Sequence, residues 1–208
     1  MILKKYCSYI PLFTSLVCLC VGCTTGSTLR TARVLEKGEL EFSAGVVTQE
    51  FDDVAQVVIG AYGITNSFEI EGRCEDNYIA LTPRLQLLKS EKSSIDCLAF
   101  FELGYNVDLG FQWGPGIMIG KKWDYVEPYL SYRFRHFNSA SFHPRESKHY
   151  WVNYDCMNVQ YVKLGSRFYF SPPVEYAARW FIGLEVGPTF MDSNGRPWEY
   201  AANIGVDY

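Results

Sequence analysis

From Glu39 to Tyr208 the chain alternates hydrophobic and polar positions with a period of two, the signature of strands with one apolar face. The pattern is plainest late in the sequence. Trp180, Ile182, Leu184, Val186, Pro188 and Phe190 share one face, while Arg179, Phe181, Gly183, Glu185, Gly187 and Thr189 share the other. The same reading predicts ten strands, at 39–49, 54–65, 67–74, 78–88, 95–108, 112–121, 125–137, 158–170, 178–190 and 199–208, with eight as the alternative count. Even-numbered joins are short or turn-like, among them Thr65-Asn66 and 121–124. The odd-numbered joins include the long stretch 138–157 and the segment 191–198.

An even strand count, with both termini on the short-turn side, is the plan of an all-β, antiparallel, up-and-down transmembrane β-barrel. The polar face is expected to point inward, because most glycines lie on it (Gly45, Gly60, Gly104 and Gly165 among them) and small residues suit the crowded concave side; Gly63 and Gly72 are exceptions. No Asp, Glu, Lys or Arg falls on the apolar faces. A basic residue there would cost about 2–4 kcal/mol at the bilayer midplane. Aromatic residues gather at the strand ends as two girdles, with Phe68, Trp123, Phe168, Phe170, Trp180 and Tyr208 at the short-turn side and Trp113, Phe137, Phe190, Trp198 and Tyr200 at the other. Pro83, Pro115, Pro128 and Pro188 fall inside predicted strands, where local bulges are expected to absorb the missing donors.

Residues 1–22 read as a signal peptide: a basic start at Lys4 and Lys5, then an apolar run from Tyr6 to Val21. The sequence Leu19-Cys20-Val21-Gly22-Cys23 resembles the lipobox of bacterial lipoproteins, which implies acylation of Cys23, and the absence of Asp after it favours the outer membrane. The lipobox usually carries its Leu three residues before the Cys, whereas Leu19 stands four before. Residues 23–38 then read as a lipidated tether or linker, flexible over its Thr/Ser-rich start, and 39–208 as the barrel. Loss of residues 1–22 removes Lys4 and Lys5 from a chain with 19 basic and 23 acidic residues, so the net charge deepens from −4 to −6. An anionic chain of this kind excludes a nucleic-acid partner.

The turn Gly63-Ile64-Thr65-Asn66 resembles the first periplasmic turn of uncharacterised bacterial outer-membrane β-barrels. The ending Val206-Asp207-Tyr208 resembles the C-terminal strand read by the barrel-assembly machinery, with Tyr in place of the commoner Phe. Localisation in the cell outer membrane is the implication, with outer-membrane lipid and lipopolysaccharide, and the barrel-assembly machinery during biogenesis, as partners.

The predicted lumen carries acids on strands one, three, five and ten (Glu39, Glu41, Glu69, Glu71, Asp96, Glu102, Glu199 and Asp207). Strands seven to nine carry bases: Arg133, Arg135, Lys163, Arg167 and Arg179. Two walls of opposite sign predict pairing across a closed interior, or a narrow polar pore. A catalytic candidate lies at the outer end of strand seven, where His136-Phe137-Asn138-Ser139-Ala140 is similar to the His-x-Ser-Asn-Ala motif of the lipid A deacylases, outer-membrane esterases. The resemblance implies His136 and Ser139 as catalytic residues, with Glu146 orienting the His; yet Asn138, two after the His, is no nucleophile.

Three function classes follow: a barrel with an envelope-structural, surface-recognition or small-pore role and no evident enzymatic activity; a deacylase-like esterase; and a periplasmic lipocalin-like lipoprotein holding an apolar ligand. Neither a cofactor nor a metal site is expected: Gly114-Pro115-Gly116 lies in a strand with no helix to receive a phosphate, and His136, His143 and His149 lack a fixed scaffold. Of the seven cysteines, Cys74 and Cys156 lie at the loop end as a candidate disulfide, and Cys97 is expected to face lipid.

Overall fold

A computed structural model of the chain describes residues 26–49, 53–89, 93–107, 109–138, 156–170, 178–191 and 197–208. Residues 1–25, Cys23 among them, and the stretch 139–155, with Ser139, His143, Glu146 and His149, lie outside the described residues.

Ten strands form: β1 (Leu40–Gln49), β2 (Asp53–Thr65), β3 (Phe68–Glu75), β4 (Tyr78–Leu88), β5 (Asp96–Asn106), β6 (Gly110–Gly120), β7 (Val126–Asn138), β8 (Cys156–Tyr169), β9 (Arg179–Met191) and β10 (Trp198–Asp207). Each pairs antiparallel with its sequence neighbours, and β1 pairs with β10, so the sheet closes on itself without an edge. Reciprocal bonds between Leu40 and Tyr208 (3.1 and 2.8 Å) fasten the first and last residues of the closing seam. The predicted boundaries differ from the observed ones by at most two residues, because alternation and turn chemistry agree at almost every strand end.

On the outward register of all ten strands there is no Asp, Glu, Lys or Arg. Among the described residues thirty-one large apolar side chains stand exposed, Phe42, Ile79, Leu130, Leu164 and Ile204 among them. A belt of this extent is an arrangement for contact with lipid. At the rims the aromatic girdles point outward as expected, with one correction: Phe137 belongs to the inward register of β7 and packs in the lumen against Val159 and Tyr161.

The prolines are accommodated differently from expectation. At Pro83, Pro115 and Pro188 the ladder runs unbroken with one neighbour and lacks paired residues with the other: β4 with β5 between Leu81 and Arg84, β6 with β7 between Trp113 and Gly116, β9 with β8 between Val186 and Thr189. The missing N–H therefore costs a local gap on one side and no change of register. Pro128 lies just beyond the last β6–β7 pair, where its carbonyl still accepts from Lys121 N at 3.2 Å. The true irregularities are at Gly63/Thr65 and Gln86/Leu88.

Strand β2 is turned over relative to expectation. Ala55, Val57, Ile59, Ala61 and Gly63 face the lumen, while Val54, Val58, Gly60 and Tyr62 face out. Both faces of this strand are apolar, so alternation alone does not orient it. The reason a lumenal face is apolar here lies in what the lumen contains.

Candidate functional site: a lumen filled by the N-terminal segment

Residues 26–37, expected as a tether, run down the inside of the barrel. Residues 27–32 are each 5% exposed or less, and Val34 and Leu35 are buried with them. The linker expectation is corrected for this stretch, and the physical reason is in its composition. Leu29, Ala32, Val34 and Leu35 offer apolar surface, and the backbone and Arg30 offer bonds to inward-facing strand residues. Leu29 packs with Val47, Val57, Ile59 and Ala201; Ala32 and Val34 pack with Leu98, Phe100, Met118 and Tyr129. Burying a Leu or Val side chain contributes about 1.5–3 kcal/mol.

The segment is held at four levels. Near the long-loop rim, Gly26 N donates to Glu199 Oε2 at 3.0 Å, and Lys163 Nζ holds the same oxygen at 2.8 Å. At mid-height Glu185 accepts five bonds. Ser27 Oγ (2.6 Å) and Thr28 N (2.8 Å) meet one oxygen; Thr28 Oγ1 (2.5 Å), Leu29 N (3.0 Å) and Tyr129 Oη (3.0 Å) meet the other. Leu29 itself has φ of +48°, a region unfavourable to residues other than Gly. It is held there by Glu185 on its N–H and by Arg167 (3.4 Å) and Asn203 (3.3 Å) on its carbonyl.

Nearer the short-turn rim Arg30 occupies the centre of a buried charge network. It touches Glu41, Glu69 (2.5 Å) and Glu71 (3.4 Å). Glu41 is in turn gripped by both Arg167 amines at 2.7 and 3.1 Å, and Glu69 by Arg84 at 2.7 Å, while Arg84 also donates to the carbonyl of Thr31 at 2.5 Å. Below this level Val34 N meets Gln86 Oε1 (2.7 Å), Leu35 N meets Glu69 Oε2 (2.6 Å) and Lys37 N meets Asn66 Oδ1 (3.1 Å) in the β2–β3 turn. Gly63 lets the chain leave the lumen: its N–H and carbonyl bond Glu39 and Gly38, and a Cβ at 63 would lie 1.9 Å from the Glu36 carbonyl oxygen.

Of the lumenal charges read from the sequence, Glu41, Glu69, Glu71, Asp96, Glu102, Glu199, Arg133, Arg135, Lys163, Arg167 and Arg179 are buried inside, whereas Glu39 and Asp207 are part-exposed at the short-turn rim. Glu102 is bound by Arg133 (2.9 Å), Arg135 (2.7 Å) and Tyr78 Oη (2.8 Å), and Arg179 donates to the Asp124 carbonyl and lies over the Tyr169 ring. The picture of two walls of opposite sign is corrected, however. Arg73 of β3 and Arg84 of β4 project among the acids of β3, and Glu127 and Glu185 among the bases of β7 to β9. With Arg30 included, eight cationic and nine anionic side chains are buried among the described residues, so the interior is nearly neutral by local pairing. Beside Arg30 a cavity of 10 Å³, lined by Thr28, Thr82 and Arg133 among others, has room for about one water. An apolar ligand held inside, as in a lipocalin, is the inverse of this arrangement.

His136 faces outward from β7, its Nδ1 2.8 Å from Asn158 Oδ1 and its ring 5.3 Å from that of Trp113. Its proposed companions Ser139 and Glu146 lie outside the described residues. The candidate disulfide is contradicted. Cys74 is a free thiol on the outer surface of β3, and β8, which begins at Cys156, is five strands away in either direction around the ten-strand ring. Opposite walls of such a barrel are on the order of 20 Å apart, far beyond disulfide reach. Cys97 shares the outward register with Ile119 and Leu88, covered by its neighbours. Among the described residues no group of three or more His, Cys, Asp or Glu side chains is placed to hold a metal ion.

Comparison with known proteins adds barrels alone. No family profile and no curated protein sequence matches the chain. Among solved structures, the N-terminal β-barrel domain of Pseudomonas aeruginosa OprF aligns with a TM-score of 0.44 at 12% identity, covering 84% of this chain and 100% of that one. The NanC porin aligns at 0.39 and 11% identity, and the KdgM porin at 0.40 and 9%, each covering 81% of this chain and 98% of its own.

Proposed function

We propose that the protein is a bacterial outer-membrane barrel with an envelope-structural role, whose lumen is closed by its own N-terminal segment and does not conduct at rest. The observation that carries this reading is the seating of residues 26–35 on Glu185, Glu69 and Gln86 along the barrel axis, in the space a pore would need. The charge-free apolar waist and the aromatic rims supply the membrane-facing surface. On this reading the short turns face the periplasm, lipid and lipopolysaccharide contact the belt, and the barrel-assembly machinery reads β10. Acylation of Cys23 adds an anchor to a chain that the belt already holds in the membrane.

Planar-bilayer recording tests the closed lumen. The full mature chain is expected to give no resolvable channel, whereas a chain lacking residues 26–36 is expected to give discrete conductance steps. A Glu185→Ala variant, which keeps the whole chain, is the second route to the same opening. Steady channels from the unaltered protein would overturn the closed-lumen reading.

A further inference from the structure

The direction in which the segment runs has a topological consequence. Gly26 is bonded to Glu199, the second residue of β10, which pairs with Gln49 at the last position of β1 and so lies at the long-loop rim. Ser27 to Leu29 are level with Glu185 at the middle of β9, Arg30 with Glu41 and Glu69 near the other end, and Lys37 with Asn66 in a short turn. Twelve residues thus descend the whole lumen, amino end toward the loops. Three residues earlier stands Cys23, within about 10 Å of extended chain from Gly26. The barrel wall is roughly 25–30 Å tall, so a return to the turn side by that route is out of reach. It would also have to pass a lumen in which Tyr161 already lies against Gly26, so closely that a Cβ at 26 would fall 1.7 Å from its ring.

We propose that the barrel threads its own amino terminus outward, so that the start of the mature chain is displayed at the cell surface while every strand connection on the short-turn side stays in the periplasm. This rests on the outer-membrane reading above. Whatever Cys23 carries is delivered to the outer face by the same path. The interior is built as a sheath for the segment: Glu185 and Glu199 on one wall meet its backbone N–H groups, and Arg84, Arg167 and Gln86 meet its carbonyls.

Two epitope insertions test the proposal in intact cells, one between Thr24 and Thr25 and one after Pro172 in the 171–177 join, probed with an antibody that cannot cross the outer membrane. The N-terminal tag is expected to be labelled in intact cells to within about twofold of permeabilised cells, and the 172 tag only after permeabilisation. If both tags need permeabilisation, the barrel is oriented as proposed and the threading is wrong. If the 172 tag is labelled in intact cells, the membrane orientation itself fails. A Thr25→Cys variant, with Cys74, Cys97 and Cys156 replaced by Ser and a membrane-impermeant maleimide as probe, gives the same readout without an insertion. Labelling of Thr25→Cys only after permeabilisation would likewise overturn the threading.

Discussion

Replacing Arg30 with Met is expected to destabilise the folded barrel by about 3–5 kcal/mol, the cost of removing one partner from a buried ionic cluster. Arg30 is in contact with three carboxylates at once, and its loss leaves Glu41, Glu69 and Glu71 to share Arg167 and Arg84. Water cannot compensate at a site this enclosed. Arg30→Lys keeps the charge but loses the planar fork that reaches β1 and β3 together, so an intermediate loss is expected. Arg33, whose pair with Glu36 is half in solvent, is the internal control: Arg33→Met is expected to cost about 1 kcal/mol or less. Urea unfolding of the protein in bilayers, followed by tryptophan fluorescence, measures all three. Equal midpoints for Arg30→Met and Arg33→Met would show that the segment is not held by this network.

The second large effect is expected at Glu185. Its carboxylate is the common acceptor for Ser27, Thr28, Leu29 and Tyr129, so Glu185→Ala orphans five donors in one step. A single orphaned buried donor costs about 1–3 kcal/mol, and the segment relieves several together by leaving the lumen. A loss of about 3 kcal/mol corresponds to roughly a 100-fold rise in the undocked population. Trypsin needs an extended chain and finds Arg30 only when the segment is undocked. Cleavage after Arg30 is therefore expected to accelerate on the order of 100-fold in Glu185→Ala while the barrel remains intact. An unchanged cleavage rate would contradict the role given to Glu185.

Strand positions, and the outward face of every strand but β2, were legible in the sequence because each strand's own alternation encodes them. The contents of the lumen were not, because the partner of each inward residue lies on another strand or in the segment. Arg73 and Arg84 illustrate the loss: each alternates correctly within its strand, yet nothing local reveals that it stands among Glu69, Glu71 and Glu75. Strand β2 held the strongest unread signal. A strand apolar on both faces in a barrel otherwise lined with charge implies something apolar inside, and Leu29 supplies it. Leu29, Val34 and Leu35, three large apolar residues within a supposed tether, point the same way from the other side of the contact. The candidate disulfide failed for a related reason, since two cysteines at one end of a barrel still differ in azimuth around the ring of strands.

Hydrogen–deuterium exchange of the folded protein in lipid nanodiscs, read on peptides covering residues 26–37, tests the central claim most directly. The amides of Gly26, Thr28, Leu29, Val34 and Leu35 donate to buried acceptors, whereas those of Glu36 and Lys37 bond at the exposed rim and serve as the fast reference. A barrel filled by its own segment predicts that the first group exchanges on the timescale of the strands, orders of magnitude behind Glu36 and Lys37. Complete exchange of all of them within seconds, with the strands still protected, would show a free tether beside an empty barrel.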